Sequence, residues 1–290
     1  MRGSQEIKKS VFLIVGILLV VFSITVVDVQ HKNSPDKDIS WVNSDHSEMF
    51  SPWYSNNLDY SNVIHKNISI GIIDGPINVN HEQLQNIDIE SYSIVSRNQS
   101  SEEDMEHGTS NLGIITSDHN NGSFRSMVDS KNVKVYSAEV LNHGFAKQKD
   151  VAEVINWLLE NNVKVINISL DFDSIDYDLK EALNKANDQK VPVFMAYGNG
   201  NYSISEKHKI NKYTWYVDLK TQNERNKDVL QLPGKDMVSI SSKNKYDLYN
   251  GSSYATALAT AITVQKLLMS ENIILTPNNI EKTINKYEGG

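Results

Sequence analysis

The chain has 290 residues, is 39% hydrophobic and 22% charged, and carries a net charge of −8 from 28 Lys plus Arg against 36 Asp plus Glu. This is ordinary globular composition, which excludes wholesale disorder and fibrous repeats, and the acidic balance lacks the electrostatic footprint of a nucleic-acid binder. Cys is absent, so disulfides, thiolate metal sites and a cysteine nucleophile are excluded, and any chemistry must use Ser, His, carboxylates or amides.

Residues 1–10 contain Arg2, Lys8 and Lys9, and Val11 to Val27 is uncharged, with only Gly16, Ser23 and Thr25 among its apolar residues. This pattern predicts a cytoplasmic n-region, a membrane anchor or signal segment over 11–27, and delivery of everything after Asp28 to the outside. Phe22 to Val27 offers a poor small-x-small cleavage pattern, and the segment approaches the roughly 17–25 residues that span a bilayer, so an uncleaved anchor is favoured over a removed signal. Residues 28–48 are polar and unpatterned (Asn33-Ser34-Pro35-Asp36-Lys37-Asp38) and read as a tether, leaving 49–290 as one globular domain.

Within that domain, Ile68-Ser69-Ile70-Gly71-Ile72-Ile73 is a β-branched run that stops at Asp74-Gly75-Pro76, as a buried parallel strand would. Residues 133–140, 163–170 and 191–198 behave alike. Between them lie two stretches with helical spacing: Lys147 to Asn161, with Val151, Val154, Ile155, Leu158 and Leu159, and Asp178 to Gln189, with Leu179, Leu183 and Ala186. Strands alternating with such helices predict an α/β fold, a three-layer and mainly parallel sheet with helices on both faces. In such a sheet ligands bind at the carboxyl ends of the strands.

Those ends carry selective chemistry. The first strand delivers Asp74, the fourth delivers Gly198-Asn199-Gly200, and a helix is expected to begin at His107-Gly108-Thr109. Gly251-Ser252-Ser253 opens a long Ala-rich helix to about Met269, placing Ser253 at a helix N-terminus, where free N–H groups and the macrodipole favour developing negative charge. Taken singly, each has a bland explanation: Asp74 as a turn residue or cap, His107 as a surface histidine, Asn199 as a turn residue and Ser253 as an N-cap.

Taken together, Ile72-Ile73-Asp74-Gly75, His107-Gly108-Thr109, Val165-Ile166-Asn167-Ile168-Ser169-Leu170, Ala196-Tyr197-Gly198-Asn199 and Gly251-Ser252-Ser253-Tyr254-Ala255 resemble the successive signature segments of the subtilisin-like serine peptidases, over about Trp53 to Tyr287. The order Asp, His, Ser is that family's order, whereas an α/β-hydrolase runs Ser, Asp, His and has Gly where this chain has Ala255. The resemblance implies an endopeptidase in which Ser253 attacks, His107 is the general base and Asp74 orients it. Asn199 then donates to the oxyanion, and Ser169, Leu170, Asp171 and Gly198 meet the substrate backbone.

The chain departs from the pattern at Ser110, where the family has a second His, at Ala257-Leu258, where it has Pro-His, and in a short interval between Asn199 and Ser253. No cofactor is expected; Asp118, Asn120 and Asn121 are oxygen-rich but fall short of a calcium ligand set and read as a solvated turn. After Leu170 come Asp171-Phe172-Asp173-Ser174-Ile175-Asp176-Tyr177-Asp178. These carboxylates are read either as selecting Arg or Lys in the substrate or as a solvated loop whose Asp176 or Asp178 caps the next helix. With only about twenty tether residues there is no room for a prodomain, and the comparison that fits is a membrane-tethered bacterial enzyme. Such an enzyme would act as a monomer that removes leader peptides from lantibiotics or similar secreted peptides. The competing class is a catalytically silent surface module that binds a peptide in the same groove.

Overall fold

The computed structural model describes residue 52 and residues 63–64, 67–95, 99–120, 124–198, 210–220, 229–270 and 275–287. The expected anchor over 11–27, the tether over 28–48 and Asn199 lie outside the described residues. No helix among the described residues is long and apolar enough to cross a membrane.

The strands in chain order are β1 (Ile68–Asp74), β2 (Asp88–Ser93), the short β3 (Thr116–Ser117) and β4 (Val128–Asp129), β5 (Val133–Glu139), β6 (Val165–Ile168) and β7 (Val193–Ala196). They continue with β8 (Thr214–Leu219), β9 (Val229–Leu232), β10 (Met237–Ile240) and β11 (Tyr246–Tyr249). The helices are α1 (Glu102–Ile115), α2 (Gln148–Glu160), α3 (Tyr177–Asp188), α4 (Ser252–Leu268) and α5 (Pro277–Asn285).

Seven strands form one sheet in the order β2-β5-β1-β6-β7-β8-β9, and every pairing in it is parallel. Because successive strand residues point to opposite faces, each central strand feeds two cores. Ile70, Ile72, Val165 and Phe194 join one with residues of α1, α4 and α5. Ile73, Ile166, Ile168, Val193 and Met195 join the other with residues of α2 and α3. The two cores make three layers, as the alternation of strands and helices predicts. Helix α4 is buried along nearly its whole length, which is what a helix apolar on all sides must be. Burying a Leu or Ile of these cores contributes about 1.5–3 kcal/mol.

Some boundaries differ from expectation. The helix carrying His107 starts five residues early, because Ser101 is its N-cap, forms a capping box with Asp104, and is followed by Glu102, Glu103 and Asp104 in the first turn. These residues satisfy free N–H groups and complement the helix dipole. Strand β6 ends at Ile168 rather than Leu170, since Ser169 leaves the ladder to bond Ser253. Strands β2, β8 and β9 extend the sheet beyond the four that the sequence predicts. The β10–β11 hairpin is antiparallel and lies outside that sheet.

Candidate active site

Asp74 closes β1, and its carboxylate is 1% exposed. Its Oδ1 accepts from His107 Nδ1 at 2.6 Å and from the Gly75 N–H at 2.6 Å. Oδ2 is buried and has no hydrogen-bond partner among the described residues. A carboxylate solvated this poorly gains most from a positive charge on the neighbouring ring.

His107 lies in the second turn of α1 and is buried. The turn after β1 approaches this helix so closely that a Cβ on Gly108 would lie 2.5 Å from the Gly75 carbonyl oxygen. Both glycines are therefore required for the Asp–His contact. Burial alone would lower the His107 pKa, but the charge and hydrogen bond of Asp74, with the more distant charge of Asp104, outweigh it and hold the ring above the ordinary histidine value. The bond from Nδ1 leaves Nε2 as the basic nitrogen. Asp104 also holds the segment after β5, accepting from the His143 and Gly144 N–H groups at 2.8 and 2.7 Å.

Ser253 is the second residue of α4, after Gly251 at φ 152°. Its Oγ donates to the Ser169 carbonyl at 3.0 Å, so the hydroxyl is not bonded to His107 in this structure. Ser169 answers with its own Oγ to the Ser253 carbonyl at 3.1 Å. Bonds of catalytic groups are often unformed in ligand-free enzymes. Tyr254 packs beside His107, with 6.1 Å between the rings, and Gly198 N–H donates to Ser252 Oγ at 3.2 Å. The carboxyl ends of β1, β6 and β7 and the N-terminus of α4 thus bring together Asp74, His107, Ser169, Gly198 and Ser253. Asn199 lies outside the described residues.

The acidic segment divides. Asp176 is the N-cap of α3, accepting from the Leu179 N–H, so the capping alternative holds for that residue and not for Asp178, which sits in the first turn. Asp171 does something else. A Cβ on Gly198 would lie 2.0 Å from its Oδ2, and Gly198 has φ +109°. The carboxylate therefore occupies the space above the Gly198 backbone, where the chain leaves β6 and β7. Its charge reaches two tyrosines: burial, Asp218 and Asp171 raise Tyr197, and burial, Asp171 and Tyr197 push Tyr216 up to about 12. Asp118 Oδ2 accepts from Asn86 and Oδ1 from the Asn120 N–H, which uses its oxygens in a turn. Among the described residues no His, Asp and Glu cluster fit for a metal ion occurs.

Several contributors escaped the sequence reading. Asn111 and Asn167 are fully buried beside the triad candidates. Glu106, next to His107, accepts from the Ser242 N–H at 2.8 Å and from the Ser242 and Tyr249 hydroxyls, binding the β10–β11 hairpin to α1. Spacing of four residues from His107 was the available signal for Asn111.

A family model described as the subtilase family matches residues 65–287. The minor extracellular protease Epr of Bacillus subtilis (strain 168) is 28% identical over 214 residues, covering 68% of this chain and 31% of that protein. A thermophilic serine proteinase of Bacillus sp. (strain AK1) is 25% identical, covering 76% and 57%. The major intracellular serine protease of Bacillus subtilis is 24% identical, covering 66% and 65%. The chain thus spans about a third to two thirds of the length of these relatives. Among solved structures, the prenylagaramide maturation protease PagA matches with a TM-score of 0.59 at 19% identity, over 75% of this chain and 81% of that one. The patellamide maturation protease PatA matches with a TM-score of 0.59 at 19% identity, over 76% and 85%.

Proposed function

Since this chain belongs to the subtilase family of serine peptidases, we propose that it is a serine endopeptidase whose triad is Asp74, His107 and Ser253. The observation that carries this reading is the buried 2.6 Å Asp74–His107 pair set beside the helix N-terminus that holds Ser253. Rotation of Ser253 about Cα–Cβ releases its hydroxyl from the Ser169 carbonyl toward His107. Oγ then forms a bond to the scissile carbonyl carbon as Nε2 takes its proton, and the carbonyl π pair becomes an oxyanion.

The Ser253 backbone N–H and the Asn199 side chain are assigned to that oxyanion; one such donor is worth about 2.7–4 kcal/mol of transition-state stabilisation. Collapse breaks the C–N bond, the amine leaves with the proton from Nε2, and water repeats the cycle on the acyl-enzyme with the same base. Asp74 keeps Nε2 unprotonated at rest and stabilises the imidazolium in between.

Ser169, Leu170 and Asp171 are assigned to pair with the substrate backbone, and the Asp171 carboxylate above Gly198 supports selection of Arg or Lys at the cleaved position. The uncharged run over 11–27 supports a membrane-anchored enzyme acting outside the cell, on a secreted peptide whose leader it removes. The maturation proteases that share the fold are in keeping with this role. Labelling of the folded chain by a fluorophosphonate, lost in Ser253→Ala, is the expected result. Absence of labelling would instead favour a silent peptide-binding module.

A further inference from the structure

Asn111 is 0% exposed. It sits one helical turn beyond His107 on α1, so the two side chains lie on the same face. A polar amide is costly at such a position unless its atoms are bonded, and packing alone would be met better by an apolar residue. Its Nδ2 donates to the His107 carbonyl at 2.9 Å. The same nitrogen is 3.4 Å from Nδ1 and 3.4 Å from Nε2 of the ring. At that distance a point equally far from both nitrogens lies over the ring face, because in the ring plane it would collide with Cε1. The amide therefore touches the imidazole without competing for the Asp74 bond at Nδ1 or the proton transfer at Nε2.

The other end of the amide is fixed as well. Its Oδ1 accepts from Ser169 Oγ at 3.1 Å, sharing that single hydroxyl proton with the Ser253 carbonyl, Ser169 Oγ accepts from Asn167 Nδ2 at 2.8 Å, and Asn167 Oδ1 accepts from Thr260 Oγ1 at 2.9 Å. This buried chain runs from α1 through the end of β6 to α4, linking the residue next to the base, the substrate-pairing segment and the helix that presents Ser253. Such a network fixes the orientation of every member when all are satisfied.

We infer that Asn111 is a positioning residue of the catalytic base, clamping the His107 ring from its face and registering it against Ser169 and the nucleophile helix. The inference rests on the peptidase reading above. The amide also presents the positive end of an N–H dipole to the ring face, opposing the charge that the ring acquires during proton transfer. The charged and titratable groups around the ring act from other directions: Asp74 from β1 in the ring plane, Asp104 from the preceding turn of α1, and the Tyr254 phenol from α4.

Two variants of the full chain test this: Asn111→Leu, which keeps the volume and removes the amide, and Asn111→Asp, which keeps the shape and adds a charge. Asn111→Leu should lower kcat on a cleaved peptide by about 10–100-fold with little change in KM, as misplacement of a catalytic group does. Asn111→Asp should move the acid limb of kcat/KM, and the titration of the His107 ring followed by NMR, upward by about 1–3 pH units. A ring titration in Asn111→Asp that matches the native chain, or a loss in Asn111→Leu that follows melting temperature alone, would overturn the inference. The NMR titration needs no turnover. A native chain that neither cleaves nor labels therefore sinks the peptidase reading, whereas an unmoved ring in Asn111→Asp sinks this one.

Discussion

Two residues decide the chemistry proposed for this chain, and their surroundings pull in opposite directions. His107 is buried, which disfavours its charged form, yet Asp74 at 2.6 Å more than offsets that cost. Because the base must be neutral to accept a proton, activity is expected to fall with decreasing pH through a value above the ordinary histidine pKa of about 6.5. In Asp74→Asn that acid limb should move down and kcat should drop about 10⁴-fold, as loss of the orienting carboxylate does elsewhere. Measuring kcat/KM against pH for both proteins checks the two effects together. Asp171 carries a separate prediction: Asp171→Asn should reduce kcat/KM for peptides cleaved after Arg or Lys while sparing those cleaved after Leu, and equal loss on both would place the carboxylate in a structural role. The triad candidates were legible in the sequence because their types and order are restrictive. The place of Asp171 was not, since eight residues of acidic loop offered several carboxylates and only the Gly198 contact separates the one set against the end of β7 from the one that caps α3.

At the scale of elements, β1 and α4 could be read directly: each is a run buried on both faces or all round, and burial of that kind leaves a continuous apolar signature. Strand β2 left none, because it is an edge strand with mostly exposed side chains, Asp88 to Ser93. Helix α1 begins ahead of the His107-Gly108-Thr109 motif because its start is set by the capping box of Ser101 and Asp104, which has no apolar periodicity to mark it. Two positions on that helix make different predictions. Ser101→Ala should cost about 1 kcal/mol of stability and little activity. Gly108→Ala, which in an open helix would stabilise by up to about 1 kcal/mol, should instead lower the melting temperature and abolish fluorophosphonate labelling. The added methyl meets the Gly75 and Pro76 carbonyl oxygens at 2.5 and 2.6 Å, so α1 must move away from β1 and carry His107 from Asp74. Thermal melts and labelling of the two variants separate a helix that is merely less stable from one that is displaced.

At the scale of the whole molecule, three buried histidines predict how stability responds to acid. His81 is fully buried, its Nδ1 accepting from the Gln83 N–H and its Nε2 facing the Lys245 carbonyl; a second proton would have to sit where Gln83 donates. Burial accordingly lowers its pKa. His119 is lowered to about 4, by burial first and by Arg125 and Lys131, against the opposing charge of Asp129. Groups with a depressed pKa in the folded state take up protons first in the unfolded chain. Their contribution to stability is therefore intact above the unfolded histidine value of about 6.5 and shrinks as pH falls toward the folded value. His107, with a raised pKa, acts with the opposite sign: its contribution is full below about 6.5 and is lost as pH rises through its folded value. Below about 6.5 the contribution of His107 is constant, so the two depressed histidines predict a melting temperature that declines as pH is lowered from about 6.5 to about 4. In His119→Asn the decline should be shallower, because one of the two groups no longer titrates. A decline of unchanged steepness in that variant would shift the acid sensitivity to His81 and the carboxylates. The base that activity requires to be neutral thus gains stability from the charged form, so the pH of best stability is expected to lie below the pH of best turnover.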